Sequence, residues 1–142
     1  MSTDLTNTKI SKEEVNNLLY MAQQLEQEAS KYQQQIDLLN GYYNDLTSAE
    51  QTLKELKLCA SDHSVLVPIG GGCFIYAKVP TTDSVIVSVG ARIHVEKTTQ
   101  DAIDSVIKKK EVIQNQITQI KASYNEVIDR LQKINQLLKT MT

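Results

Sequence analysis

From Val15 onward the apolar residues fall at alternating steps of three and four: Val15, Leu18, Ala22, Leu25, Ala29, Tyr32, Ile36, Leu39, Tyr43 and Leu46. That spacing keeps one narrow stripe on one side of a helix, which is the seam of a coiled coil and not the broader face of a globular helix. Ser11, followed three positions later by Glu14, reads as a capping box at the helix start. The stretch before it, residues 1–10, is polar and reads as a flexible N-terminus, so a coiled-coil helix is expected over 11–60. Near Leu46 the register changes. Glu50 takes the next core position, while Ala49, Leu53, Leu56 and Ala60 carry the seam onward, a skip that overwinds a coil locally. Asn40-Gly41 reads as a tolerated helical glycine at about 1 kcal/mol relative to alanine, because the pattern resumes at once on both sides.

Between 62 and 98 the spacing drops from helical to strand-like. HSVLVPI, CFIYAKV, VIVSVGA and RIHVEK are β-branched and aromatic runs separated by GGG and by PTTDS, which predicts two β-hairpins. Both prolines, Pro68 and Pro80, and Gly70, Gly71, Gly72 and Gly90 fall in this window. Val85, Val87 and Val89 share one face, and Ile93 and Val95 alternate with Arg92, His94 and Glu96. Over 99–141 helical spacing returns, with Thr98 or Thr99 as the cap and Asp101 in the first turn to complement the dipole. Its seam runs Ile103, Val106, Ile113, Ile117, Ile120, Tyr124, Val127, Leu131, Ile134, Leu138 and Met141, broken only by Lys110. Each helix is roughly 65 to 70 Å long at the helical rise per residue. A chain folding back on itself would bring Val15 and Leu18 level with Met141 and Leu138. The fold class expected is α+β: one antiparallel two-helix coil, its apex carrying two hairpins that join a barrel-like oligomer body, in a single unit over 1–142.

Composition narrows the function. A chain of 142 residues with one phenylalanine, no tryptophan and narrow seams cannot build a compact core of ordinary size. Its net charge of −2 offers no broad attraction to nucleic acid or acidic membranes. No secretory start and no long apolar run is present, so a cytoplasmic location is expected, with Cys59 and Cys73 as reduced thiols. The weight of asparagine and glutamine leans towards a moderate growth temperature. Gly70–Gly72 lacks the following Lys-Ser/Thr and helix of a phosphate loop and reads as a hairpin turn. Cys59, His63, Cys73 and His94 match no compact zinc module, so no metal is expected. No grouping of nucleophile, base and orienting residue occurs, so neither enzymatic activity nor a cofactor is expected. Lys108-Lys109-Lys110 reads as a solvated helix face, with Lys110 setting register.

Two surfaces remain as candidates. Hairpins standing on a thin coil are marginal alone, and strands with apolar faces and free edges pair with other subunits. Assembly is therefore assigned to Val65, Val67, Ile69, Phe74, Ile75, Val85, Ile86, Val87, Val89, Ile93 and Val95. At the free end, Leu19, Met21, Ile128 and Leu137 add apolar surface off the seam. With Val15, Leu18, Leu131, Ile134, Leu138 and Met141 they form a candidate site for capturing polypeptide, and the methionines suit variable shapes.

LVPIGGG from Leu66 to Gly72 and VSVGARIHVEKT ending at Thr98, set between two coils, resemble the α-type subunit of prefoldin, a cytosolic chaperone of archaea and eukaryotes. Two hairpins, and not one, mark the α-type. The resemblance implies a hexamer of two α-type and four β-type subunits, a body with six tentacles. It also implies ATP-independent capture of unfolded protein at the tentacle tips and its transfer to a group II chaperonin. The alternative is a structural adaptor whose coils tether fixed partners.

Overall fold

The computed structural model describes residues 11–141; the expectation of a flexible stretch over 1–10 lies outside them. The element order is α1 (Lys12–Leu58), β1 (His63–Gly70), β2 (Cys73–Val79), β3 (Ser84–Gly90), β4 (Ile93–Thr98) and α2 (Thr99–Met141). Helix α1 runs unbroken through Asn40-Gly41. It ends at Leu58, where the seam was expected to continue to Ala60. Ala60 is instead exposed and non-helical, because the chain turns off through Cys59 and through Asp62, whose φ is 62°.

Both helix starts are capped as the sequence suggests. The Ser11 hydroxyl accepts from the Glu14 amide at 3.2 Å, and the Ser11 amide donates to Glu14 Oε2 at 3.0 Å. These reciprocal bonds satisfy groups that the helix leaves without partners. At α2 the Thr98 hydroxyl accepts from the Asp101 amide at 3.1 Å, so Thr98 is the cap. Thr99 has a different role.

The chain forms two units. One spans Gly41–Gln114 and the other comprises the segments outside it. In the outer unit the α1 seam residues Ala22, Ala29 and Ile36 and the α2 seam residues Ile117, Val127 and Ile134 are buried. In the inner unit the buried apolar residues are Leu46, Ala102, Ile103 and Ile113. Alternate seam residues such as Leu18, Leu25, Leu39 and Leu131 are half-buried, as the flanks of a two-stranded seam must be.

Within the inner unit the two seam breaks meet. Lys110 Nζ donates to Glu50 Oε2 at 2.8 Å, and Lys54 to Glu50 Oε1 at 3.1 Å. The Lys110 ammonium also lies 5.0 Å from the centroid of the Tyr43 ring, a cation–π contact. The hydrogen bond from Lys110, and then that from Lys54, hold the Glu50 carboxyl below its ordinary pKa. The same bond holds the Lys110 ammonium above its own.

Each hairpin is an isolated antiparallel pair, β1 with β2 and β3 with β4. Gly70 pairs with Cys73 and Gly90 with Ile93, so both loops have two central residues and both ladders shift register just before the turn. Positive φ at both central positions gives the twist such hairpins require. Gly71 and Gly72 adopt it freely at 60° and 75°, whereas Ala91 and Arg92 adopt it at 49° and 62° despite their side chains.

Two buried threonines tie the second hairpin to both helices. The Thr82 hydroxyl donates to the Cys59 carbonyl, just past α1, at 3.2 Å. The Thr99 hydroxyl, at the start of α2, donates to the Thr82 carbonyl at 2.6 Å, and the Thr99 amide donates to the Asp83 carbonyl at 2.9 Å. Lys57 donates to Gln100, a further link between the helix ends.

Two outcomes are expected. Thr99 is only 2% exposed; Thr99→Val keeps its shape but leaves the Thr82 carbonyl without its donor. Urea denaturation should show a loss of about 1–3 kcal/mol, largely recovered by Thr99→Ser. The Glu50 contribution is present above the ordinary carboxylate range and vanishes as pH falls through its lowered value, while that of Lys110 vanishes as pH rises through its raised value. The melting temperature of the wild type should therefore exceed that of Glu50→Gln across neutral pH and converge with it in strong acid and in strong base.

Candidate functional site

Residues directly opposite in an antiparallel pair share a face. In the first hairpin Val65 faces Ala77 and Val67 faces Ile75, while Leu66 faces Tyr76 and Pro68 faces Phe74. Both faces are therefore apolar. Nothing in the inner unit covers them: Leu66 is 60%, Phe74 59% and Tyr76 88% exposed, and Val67, Ile69 and Ile75 are exposed as well. Only Val65, Ala77 and Val79 are half-buried.

The second hairpin is two-sided in a different sense. Val87 pairs with Val95 on a face shared by Val85, whereas Ser84, Ser88, His94, Glu96 and Thr98 lie on the other face with Ile86 among them. The Ser84 hydroxyl donates to Glu96 Oε1 at 2.8 Å across that polar face. Val85, Val87 and Val95 are half-buried, while Ile86, Val89 and Ile93 are exposed. Beside β3 an apolar groove of ≈ 480 Å³ opens between the strand and the helix bases, lined by Ala49, Leu53, Val85, Val87, Ala102 and Val106. Among the described residues β3 pairs only with β4, and no strand lies on its other edge. A free edge beside an apolar trough is the form that accepts an added strand.

In the outer unit the candidate tip residues divide by depth. Leu19, Met21 and Leu137 are exposed; Val15, Leu18, Ile128, Leu131, Leu138 and Met141 are half-buried; Ile134 is buried in the seam. Met21, Leu25 and Ile134 line a groove of ≈ 360 Å³ with Gln24, Glu28, Arg130 and Lys133. Sequence reasoning left Arg130 and Lys133 out of the site; their spacing of one helical turn, just before the seam residue Ile134, was the available signal. It also left out Leu66 and Tyr76, although both phases of the first hairpin's strands are apolar.

Among the described residues, no group of three His, Cys, Asp or Glu residues gathers to hold a metal. Cys59 donates to its own helix at the Glu55 carbonyl, and Cys73 is exposed at the first hairpin turn. Of the three consecutive lysines, Lys110 pairs with Glu50 across the seam, and Lys108 and Lys109 are exposed. No described helix is long and apolar enough to cross a membrane.

Two long seam-packed helices joined by two antiparallel hairpins define a coiled-coil protein with a β-insert between its helices. Residues 25–142 match the prefoldin subunit family, and the chain belongs to it. The prefoldin α subunit of Methanococcoides burtonii is 31% identical over 127 residues, covering 89% of this chain and 92% of that protein. That of Methanosarcina barkeri is 28% identical over 129 residues, covering 89% and 90%. The fold is also that of filamentous PFD from Methanocaldococcus jannaschii, solved by cryo-EM, with a TM-score of 0.71, 22% identity, and coverage of 81% of this chain and 95% of that one. Family members are chaperone subunits, and these relatives are of the α type.

The exposed hairpin faces predict association. In light scattering coupled to size exclusion, Leu66→Ser/Phe74→Ser/Tyr76→Ser should lower the mass of the assembly while helical ellipticity stays at the wild-type level. An unchanged mass would remove the first hairpin from the interface.

Proposed function

We propose that this chain is the α-type subunit of an ATP-independent holdase that captures unfolded polypeptide at its coil tips and passes it to a group II chaperonin in the cytoplasm. Two copies assemble with four β-type partners through the hairpins. No cofactor enters the cycle, because capture needs only apolar surface presented in several copies. Membership of a chaperone family supports the reading. The observation that carries it is local: at the tip, Leu19, Met21 and Leu137 remain exposed, off the stripe that two helices need for their own packing. Each contact of this kind is weak, and affinity arises when several tips engage one chain at once. Met21 adds a flexible, polarizable side chain to a surface that must fit many sequences.

The test is light scattering from a dilute denatured protein during refolding, with this chain assembled with a β-type partner. The intact complex should suppress aggregation. A complex lacking the tips, up to Met21 and from Ile128, should not, once its assembly has been confirmed. If neither suppresses aggregation, the holdase reading fails and an adaptor that tethers folded partners becomes the better account.

A further inference from the structure

Arg130 and Lys133 stand on the α2 bank of the tip groove, over a floor of Met21, Leu25 and Ile134. With Arg92, Arg130 is one of only two arginines in the chain. Among the described residues the ion pairs are Glu50 with Lys54 and Glu50 with Lys110, so neither cation of the groove is paired with a carboxylate. The one acid lining the groove, Glu28, accepts the Tyr32 hydroxyl at 3.4 Å. Glu126 and Asp129, the neighbouring acids on α2, do not line it.

An apolar floor beside two unpaired cations is not neutral in what it admits. A large aliphatic or aromatic side chain seated on Met21, Leu25 and Ile134 brings its own neighbours in sequence against the α2 bank. A carboxylate there meets a planar guanidinium able to bind both of its oxygens, and an ammonium one turn away. A lysine or arginine there meets like charge. We propose that the groove selects, among unfolded segments, those in which a large apolar residue is flanked by aspartate or glutamate. This rests on the holdase reading of the tip and specifies the kind of segment it takes.

Fluorescently labelled unfolded peptides sharing one apolar centre, flanked by glutamate, serine or lysine, would be titrated against the assembled complex by anisotropy. At low salt the glutamate-flanked peptide should bind about fivefold more tightly than the serine-flanked one, the scale of two exposed ion pairs. The lysine-flanked peptide should bind more weakly than either. The spread should collapse at high salt, where exposed charges are screened. In Arg130→Glu/Lys133→Glu the order should reverse in favour of the lysine-flanked peptide. The salt series on the unaltered complex carries the test should that variant fail to assemble. Equal binding of all three peptides at low salt overturns charge selection and leaves the holdase reading standing. Failure of every peptide to bind overturns that reading, and the selection with it.

Discussion

A single charged contact makes the two helices mutually specific. An apolar seam with a period of three and four is nearly degenerate, since sliding one helix by a heptad restores most of its packing. Glu50 and Lys110 remove that degeneracy. Each breaks its own seam, and each is poorly exposed, with 14% and 18% of its side chain reached by solvent. Any register that separates them leaves a charge against apolar neighbours, a far worse state than either solvated apart or joined. The pair thus acts less by strengthening the coil than by excluding its alternatives, and Tyr43 beneath the ammonium adds a partner available only in that register.

Fixed register has a consequence at the hairpins. With Glu50 on Lys110, the end of α1 and the start of α2 come close enough for Thr82 to bridge them, its hydroxyl reaching back to Cys59 and its carbonyl taking the hydroxyl of Thr99. The second hairpin is therefore held at the helix bases by hydrogen bonds from buried groups, and its valine face is partly covered. No comparable bond joins the faces of the first hairpin to a helix among the interactions of the described residues. Its stability must come from elsewhere, because an isolated hairpin is marginal in water. The two hairpins share a turn and a register shift, yet they stand in different positions: one is anchored to its own chain, and the other is apolar and exposed on both sides.

Much of this was legible because coils and hairpins write their periods directly into sequence. Steps of three and four located both helices, β-branched and aromatic runs between turn residues located all four strands, and Ser11 and the pair Thr98-Thr99 announced helix starts, of which the backbone uses Ser11 and Thr98. Glu50 and Lys110 were each visible as a break. That they are one feature was not, because the pairing depends on where two segments sixty residues apart come level, and pattern alone leaves a heptad's freedom there. The early end of α1 was hidden for a related reason: Ala60 fits the period, but the turn at Asp62 and the bond from Thr82 to Cys59 draw the chain away before the period is used. The tip groove was half legible. Its apolar floor follows from the seam residues Leu25 and Ile134 with the off-seam Met21, while its cations lie at positions that, in a linear reading, are only the solvated side of a helix.

On the proposed holdase reading, assembly and capture of non-native chains place opposed demands on one sequence, and the two units differ accordingly. Surface for assembly must be rigid in register, since strand pairing fails with a one-residue slip. Surface for capture must tolerate any register, since its ligand has none. The inner unit accordingly spends its polar groups on fixed geometry: the Glu50 pair, the threonine bridge and two closed turns. The outer unit has a bare seam, small alanines at Ala22 and Ala29 where the helices pack, and long flexible side chains at Met21, Arg130 and Lys133 around its groove. Side chains of that kind adapt at low cost, because their stems can lie along apolar surface while their heads seek charge or water. Weak selection by charge is compatible with such a surface, whereas shape selection is not: a carboxylate can be met from many directions by a long cation, but a pocket fits few side chains.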